Sequence, residues 1–176
     1  MMSTALHAEG WLLQPSEERD IDALLRWFPD EASVRIWGGP GFRFPFTRHS
    51  FAEDIHWGRM RSFSLRNRGD ELAAFGQVYA RYERIHFARL VAYPGMRGQG
   101  IGRRLIEMLM AVTPRFYEFT EFSLFVFRDN LPAYNCYRSL GFEVVDYPDG
   151  APMAESCYYL TRPVAVRRDN NKRHRG

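Results

Sequence analysis

The sequence predicts a single α/β domain, and three stretches predict it. Residues 84–112 run from a strand into a glycine-rich turn and then a helix. Arg84 to Ala92 is rich in large apolar residues, Tyr93-Pro94-Gly95 are turn formers, and Leu105, Ile106, Leu109, Met110 and Val112 recur at helical spacing. Ser123-Leu124-Phe125-Val126-Phe127 then reads as a strand. It is followed by Asp129-Asn130 as a helix cap, Pro132 in the first turn and Leu140-Gly141-Phe142 at the helix end. Ahead of both, Ser62-Phe63-Ser64-Leu65 alternates, Arg68-Gly69-Asp70 turns, and Leu72 to Tyr82 forms a longer strand, so a hairpin feeds the strand at 84–92. No internal repeat or linker interrupts the 176 residues, which suffice for one domain with a real core.

The rest of the chain follows the same logic. Trp11 to Pro15 is a first strand. Ser16 is placed to cap a helix whose first turn holds Glu17 and Glu18, and Ile21, Leu24, Leu25 and Phe28 form its apolar face up to Pro29. Glu31 to Trp37 is a second short helix, stopped by Gly38-Gly39-Pro40-Gly41. In residues 42–60, five aromatics (Phe42, Phe44, Phe46, Phe51 and Trp57) alternate with charged residues, and Phe51, Ile55 and Arg59 mark one helical face; most of these aromatics are expected to be core. Gly76 inside a strand predicts a bulge or a close backbone approach. Glu143 to Val145 and Cys157 to Leu160 are closing strands around a Pro148–Pro152 loop.

Hydrophobic residues at 45% and aromatics at 15% exclude a disordered chain. No apolar run is long enough for a bilayer, so no membrane association is expected. The first residues lack the pattern of an export signal, and the expected location is cytoplasmic. Cys136 and Cys157 are accordingly read as reduced thiols, and no Cys/His cluster has metal spacing, so no metal is expected. The net charge of +3 is misleading about partners. Residues 167–176 carry five basic residues against Asp169, a net of +4, which leaves residues 1–166 near −1. The reading is therefore a domain over 1–166 and a basic, solvated and disordered tail over 167–176, with no nucleic-acid partner.

The glycine turn is where a ligand is expected. Arg97-Gly98-Gln99-Gly100-Ile101-Gly102 opens a helix, whose first N–H groups and positive dipole end suit a phosphate. A P-loop would need Lys and then Ser or Thr after its last glycine, but Arg103 and Arg104 stand there; a dinucleotide fingerprint begun at Gly98 would need glycine at 103. The spacing Arg-x-x-Gly-x-Gly resembles the pyrophosphate-binding motif of the GNAT superfamily of acetyl-CoA-dependent N-acetyltransferases. Asn130-x-x-Ala133-x-x-x-Tyr137-x-x-x-Gly141-Phe142 resembles a second segment of the same family, in the same order. The resemblance covers residues 71–147 well.

That resemblance implies a mixed, mostly antiparallel sheet of six to seven strands with helices on both faces. It implies acetyl-CoA as cosubstrate and direct transfer of acetyl to a primary amine of a small molecule or a protein N-terminus. It places the pyrophosphate on Arg97, Gly98, Gln99, Gly100, Ile101, Gly102 and Arg103. The pantetheine arm lies along Leu90, Val91 and Ala92, one of whose N–H groups would serve the developing oxyanion. Tyr137 is the leaving-group acid, ahead of Tyr134, which misses the Tyr-x-x-x-Gly-Phe spacing. Asn130 caps its helix and contacts the cofactor. The base is less defined: Phe125 stands where some relatives carry Glu, and of the polar residues nearby His86 suits a base acting through water, with Glu83 on the opposite face. Cys136 has no His partner and is not expected to be a nucleophile. Arg35, Arg43 and Arg48 crowd the segment that resembles the acceptor wall, and any that faced the site would favour an acceptor with a carboxylate. A homodimer is compatible with this reading. So is a non-catalytic acyl-CoA-binding module, which release of thiol in the presence of an amine would exclude.

Overall fold

Period-two segments separated by turn residues pair into one sheet. The computed structural model describes residues 4–166, so the expectation for the tail at 167–176 lies outside the described residues. The strands are β1 (Leu6–Ala8), β2 (Trp11–Pro15), β3 (Arg61–Arg66), β4 (Leu72–Arg81), β5 (Arg84–Ala92), β6 (Glu121–Phe127), β7 (Glu143–Val145) and β8 (Cys157–Pro163). Their order is β1-β2-β3-β4-β5-β6-β8-β7, and every pairing is antiparallel except β5 with β6. The sheet thus has eight strands rather than six or seven. The added strand is β1, folded onto β2 through Glu9 and Gly10, both at positive φ; three residues are too few to carry a periodic signal.

The helices are α1 (Glu18–Leu25), α2 (Glu31–Gly38), α3 (Arg48–Asp54), α4 (Ile101–Val112) and α5 (Leu131–Ser139). Alternation along β4 sorts them onto two faces. Ala74 and Val78 join one core with Leu105 and Leu109 of α4 and the partly buried Ala133 and Tyr137 of α5. Phe75 joins the other with Ile21 and Leu24 of α1, Val34 of α2 and Phe51 of α3. Phe42 and Phe51 are buried in that second core and Phe44, Phe46 and Trp57 pack against it, as expected for aromatics that make core.

Two local expectations need correction. Glu17, not Ser16, caps α1: the backbone N–H of Glu17 donates to Asp20 at 2.8 Å, while Ser16 Oγ sits 2.8 Å from Ser64 Oγ on β3. Asp20 is buried, accepts from Ser64 Oγ at 2.8 Å and is ion-paired to the buried Arg66. A polar first turn is tied to β3 this way, and the demand of the buried carboxylate outweighs the cap preference of serine. The helix then ends at Leu25, and Trp27 and Phe28 are buried from the following turn.

Candidate active site

Three features of the backbone make the cleft. First, β5 and β6 pair only at Ile85 with Phe122 and His86 with Ser123. From Phe87 onward the side of β5 that turned to β6 has no strand beside it, and a row of N–H and C=O groups is left to a ligand. Second, β5 bulges: Phe75 pairs with Val91 and Gln77 with Ala88, so Arg89 and Leu90 together oppose Gly76. Arg89 takes φ +47, and a Cβ on Gly76 would come within 2.8 Å of Leu90 Cδ2. The glycine permits the close approach its position predicts, and the extra residue lies on the partner strand. Third, the chain leaves β5 through Pro94–Met96 and enters α4 at Gly100.

That last turn has the conformation its glycines suggest. Gly98 and Gly100 have φ +79 and +74, a region other residues enter at a cost. Arg104 N–H makes the first intrahelical bond, to the Gly100 carbonyl at 3.0 Å, which leaves the N–H groups of Ile101, Gly102 and Arg103 as the unpaired start of α4. A Cβ built on Gly98, Gly100 or Gly102 meets nothing within 4 Å, so the glycines border open space that an anion can fill. Arg97 is exposed and unpaired among the described residues. Arg103 is engaged elsewhere: its guanidinium donates to Glu107 at 3.2 Å and to Ser139 Oγ at 2.6 Å.

A cleft of about 590 Å³ starts at Arg97, passes Leu90 and Val91, and continues between Asn130 and Tyr137 on one side and Trp27, Phe28 and α2 on the other to His86. Of the residues expected in the site, Leu90, Val91, Arg97, Asn130, Tyr137 and His86 line it, whereas Ala92, paired with Ala74, and Gly98, Gln99, Gly100, Ile101, Gly102 and Arg103 do not. Asn130 Oδ1 accepts from the Ala133 N–H at 3.4 Å and so caps α5. Tyr137 is half-buried, and loss of water around its hydroxyl, with a smaller contribution from Cys136, holds the phenol well above its ordinary value. Tyr134 is directed elsewhere, its ring 5.3 Å from that of Tyr158.

His86 is 1% exposed. Its Nδ1 lies 2.9 Å from Ser123 Oγ, and its ring packs against Tyr79 and Phe125 at 5.3 and 5.1 Å. Burial, assisted by the nearby Arg81 cation, lowers its pKa to about 3. The imidazole is therefore neutral at physiological pH, able to accept a hydrogen bond but weak as a proton acceptor. Glu83 is exposed in the Tyr82–Glu83 hairpin turn and takes no part in the lining.

The arginines that crowd the early helices are spoken for. Arg35 pairs with Glu31 at 2.7 Å, Arg43 with Glu53 and Asp54 at 2.7 and 2.9 Å, and Arg48 with Glu18 and Asp22 at 2.8 Å each. None lines the cleft. Two others do. Arg81 extends over Phe125, 5.0 Å from the ring centroid, and donates to Tyr79 Oη at 2.9 Å. Arg89 donates to Gln77 Oε1 at 2.9 Å, and its buried Nε–H has no partner. A signal for both was present in the sequence. Gln77, Tyr79 and Arg81 put polar groups on one face of an otherwise apolar strand, and the hairpin carries them opposite Ala88, His86 and Arg84.

The family described as the Acetyltransferase (GNAT) family matches residues 21–142. The chain belongs to the GNAT acetyltransferase family. Solved GNAT structures repeat its fold. The ribosomal-protein-S18-alanine N-acetyltransferase of Escherichia coli is 21% identical, with 91% of this chain and 97% of that one covered and a TM-score of 0.61. The spermidine N-acetyltransferase of Vibrio cholerae, solved with CoA and spermine, is 15% identical over 89% and 97%, with a TM-score of 0.68. An acetyltransferase of Thermus thermophilus is 23% identical over 90% and 99%, with a TM-score of 0.64. In this GNAT chain no helix among the described residues is long and apolar enough to cross a membrane, and Cys136 and Cys157 are both free thiols.

Proposed function

We propose that this GNAT protein transfers an acetyl group from acetyl-CoA to a primary amine, on a small molecule or a protein N-terminus, by direct attack and without an acyl-enzyme. The observation that carries the reading is the continuity of the cleft. One opening runs from Arg97, the first residue of the glycine turn, along the unpaired edge of β5 and past the Tyr137 ring to the far end at His86.

Each part has chemistry to contribute. The N–H groups at the start of α4 and the Arg97 cation suit a pyrophosphate. The unpaired edge between Phe87 and Ala92 can pair with the amide groups of a pantetheine arm and supply a donor to the thioester oxygen as charge develops there. Tyr137, kept protonated by desolvation, can give its proton to the departing thiolate. Neutral His86 can hold the amine through a hydrogen bond or a water. Strong base catalysis is not needed for an amine of pKa near 8, part of which is unprotonated at pH 7, whereas a lysine-like amine near 10.4 is almost wholly charged.

Among the described residues no Asp or Glu lines the cleft, and a non-catalytic acyl-CoA binder would share that feature. A panel of amines and N-terminal peptides, followed by release of CoA thiol, decides between the two. Turnover with any amine establishes transfer. Tight acetyl-CoA binding by calorimetry with no thiol release from the whole panel would leave a binding module.

A further inference from the structure

The charge of the far end of the cleft names a class of acceptor, given the acetyl transfer proposed above. Register puts Gln77, Tyr79 and Arg81 of β4 and His86 and Ala88 of β5 on one face, because Gln77 pairs with Ala88 and Tyr79 with His86. The contacts agree: Tyr79 against His86, His86 against Phe125, Arg81 over Phe125, and Arg89 on Gln77. Phe75 continues that face and packs with α1, α2 and α3, so this is the side of the sheet that α1 and α2 close.

Two guanidinium groups therefore line this side of the cleft, Arg81 at its far end and Arg89 at the β5 bulge, and neither forms an ion pair with a carboxylate among the described residues. Arg81 is held by phenol oxygens and aromatic rings, and Arg89 by an amide oxygen, with one buried N–H left over. The acids of the covering helices are paired with other arginines, Glu18 and Asp22 with Arg48, Asp20 with Arg66, Glu31 with Arg35, and Glu53 and Asp54 with Arg43; Asp54 is near enough to act on Arg89 through its field without bonding it. Arg81 is also remote from the glycine turn. Arg81 stands opposite Arg84 at the start of β5, and at about 3.3 Å per residue the nine-residue strand places the turn roughly 25 Å farther along. Arg81 therefore cannot serve the pyrophosphate.

We propose that the acceptor is a primary amine that also carries an anionic group, carboxylate or phosphate, received by Arg81 and Arg89. A buried, unpartnered N–H is costly, and an anion supplies the acceptor it lacks. A guanidinium offers its donors in a planar fork that matches either oxyanion, which an uncharged amine does not use and a diamine would oppose by like charge. Phe125 and Tyr79 limit solvent around Arg81, and Arg89 is itself half-buried, so a contact there is screened less than one at the surface.

The test is kcat/KM for 4-aminobutyrate and O-phosphoethanolamine beside butylamine, ethanolamine and 1,4-diaminobutane, by CoA release. The anionic amines should exceed the neutral ones by about 10–100-fold, the size of one charge-assisted contact, and the diamine should be poorest. In Arg81→Gln and in Arg89→Gln that ratio should shrink about tenfold. Arg81→Lys, which keeps the charge and loses the fork, should fall between and guards against a loss of fold. Neutral amines or the diamine turning over as well as the anions overturns the proposal while leaving acetyl transfer intact. A preference that survives both Gln variants also overturns it. Release of thiol with no amine at all would instead count against transfer itself.

Discussion

His86 Nδ1 and Ser123 Oγ, 2.9 Å apart, sit on the second of the two rungs that join β5 to β6, and beyond them the strands part. A titratable side chain thus occupies the vertex of the fork that holds the site. It is fixed there by a hydroxyl and two aromatic rings, and burial keeps it neutral.

This arrangement makes stability depend on pH. His86 is lowered to about 3 in the folded protein from an ordinary value near 6.5. Below 6.5 the unfolded chain takes up a proton that the folded chain refuses. The contribution of the neutral ring is therefore complete above pH 6.5 and is lost as pH falls toward 3, at up to about 1.4 kcal/mol per pH unit. Urea denaturation between pH 4 and 8 should show this slope in the wild type and a shallower one in His86→Gln. Parallel slopes would mean that protonated His86 is tolerated at the fork.

Gly102 tests the turn more cleanly than Gly100. Gly100 is left-handed, so a side chain there strains the backbone, whereas Gly102 lies in the first turn of α4 and faces open space. Gly102→Val should keep the melting temperature within a few degrees and weaken acetyl-CoA binding at least tenfold, as read by calorimetry, because the added carbons occupy the position meant for phosphate oxygens. Unchanged affinity in a folded variant would move the pyrophosphate elsewhere.

Gly76 couples the core to the cleft. A side chain at this position collides with Leu90 at 2.8 Å and crowds Leu109 at 3.3 Å. Gly76→Val should cost about 1–3 kcal/mol by overpacking and also loosen acetyl-CoA, since displaced Leu90 lines the cleft. Stability lost without any change in affinity would show that the bulge keeps its shape when Leu90 moves.

The glycine turn and α5 were legible because their signals are local. Glycines at left-handed positions, Asn130 as a cap and Pro132 in the first turn act through neighbours within a few residues. The arginines were not legible for the converse reason. Arg48 finds Asp22 twenty-six residues away, which depends on how α1 packs on α3, and Arg43 finds Asp54 eleven away, which depends on how the loop before α3 folds back on the end of that helix. Arg81 and Arg89 enter the site through hairpin register and through a bulge that turns one strand by a residue. Gly76 announced an irregularity there, and only pairing decides which strand carries it. β1 escaped because it is three residues long and gains its meaning from β2.

Tyr137 gives the most direct test of the chemistry. Tyr137→Phe removes one hydroxyl and keeps the ring, whose neighbours include Phe142 at 6.3 Å between centroids, so packing and the position of α5 should hold. If the hydroxyl protonates the departing thiolate, its loss is felt when the carbon–sulfur bond breaks. Acetyl-CoA affinity should stay almost unchanged, and kcat should fall by roughly 10²–10⁴-fold. Desolvation adds a condition on the pH profile. The phenol is held well above its ordinary value near 10, so it stays protonated through pH 9, and any upper limb below that belongs to another group. The drop in kcat should therefore be nearly uniform from pH 6 to 9 and leave the limbs in place. Tyr134→Phe, whose ring leans on Tyr158 away from the cleft, is the control and should lose little. Damage from Tyr134→Phe with a neutral Tyr137→Phe would exchange the roles of the two tyrosines. If both are neutral, water protonates the thiolate, and the acid is removed from the mechanism while the turn and the β5 edge keep their parts.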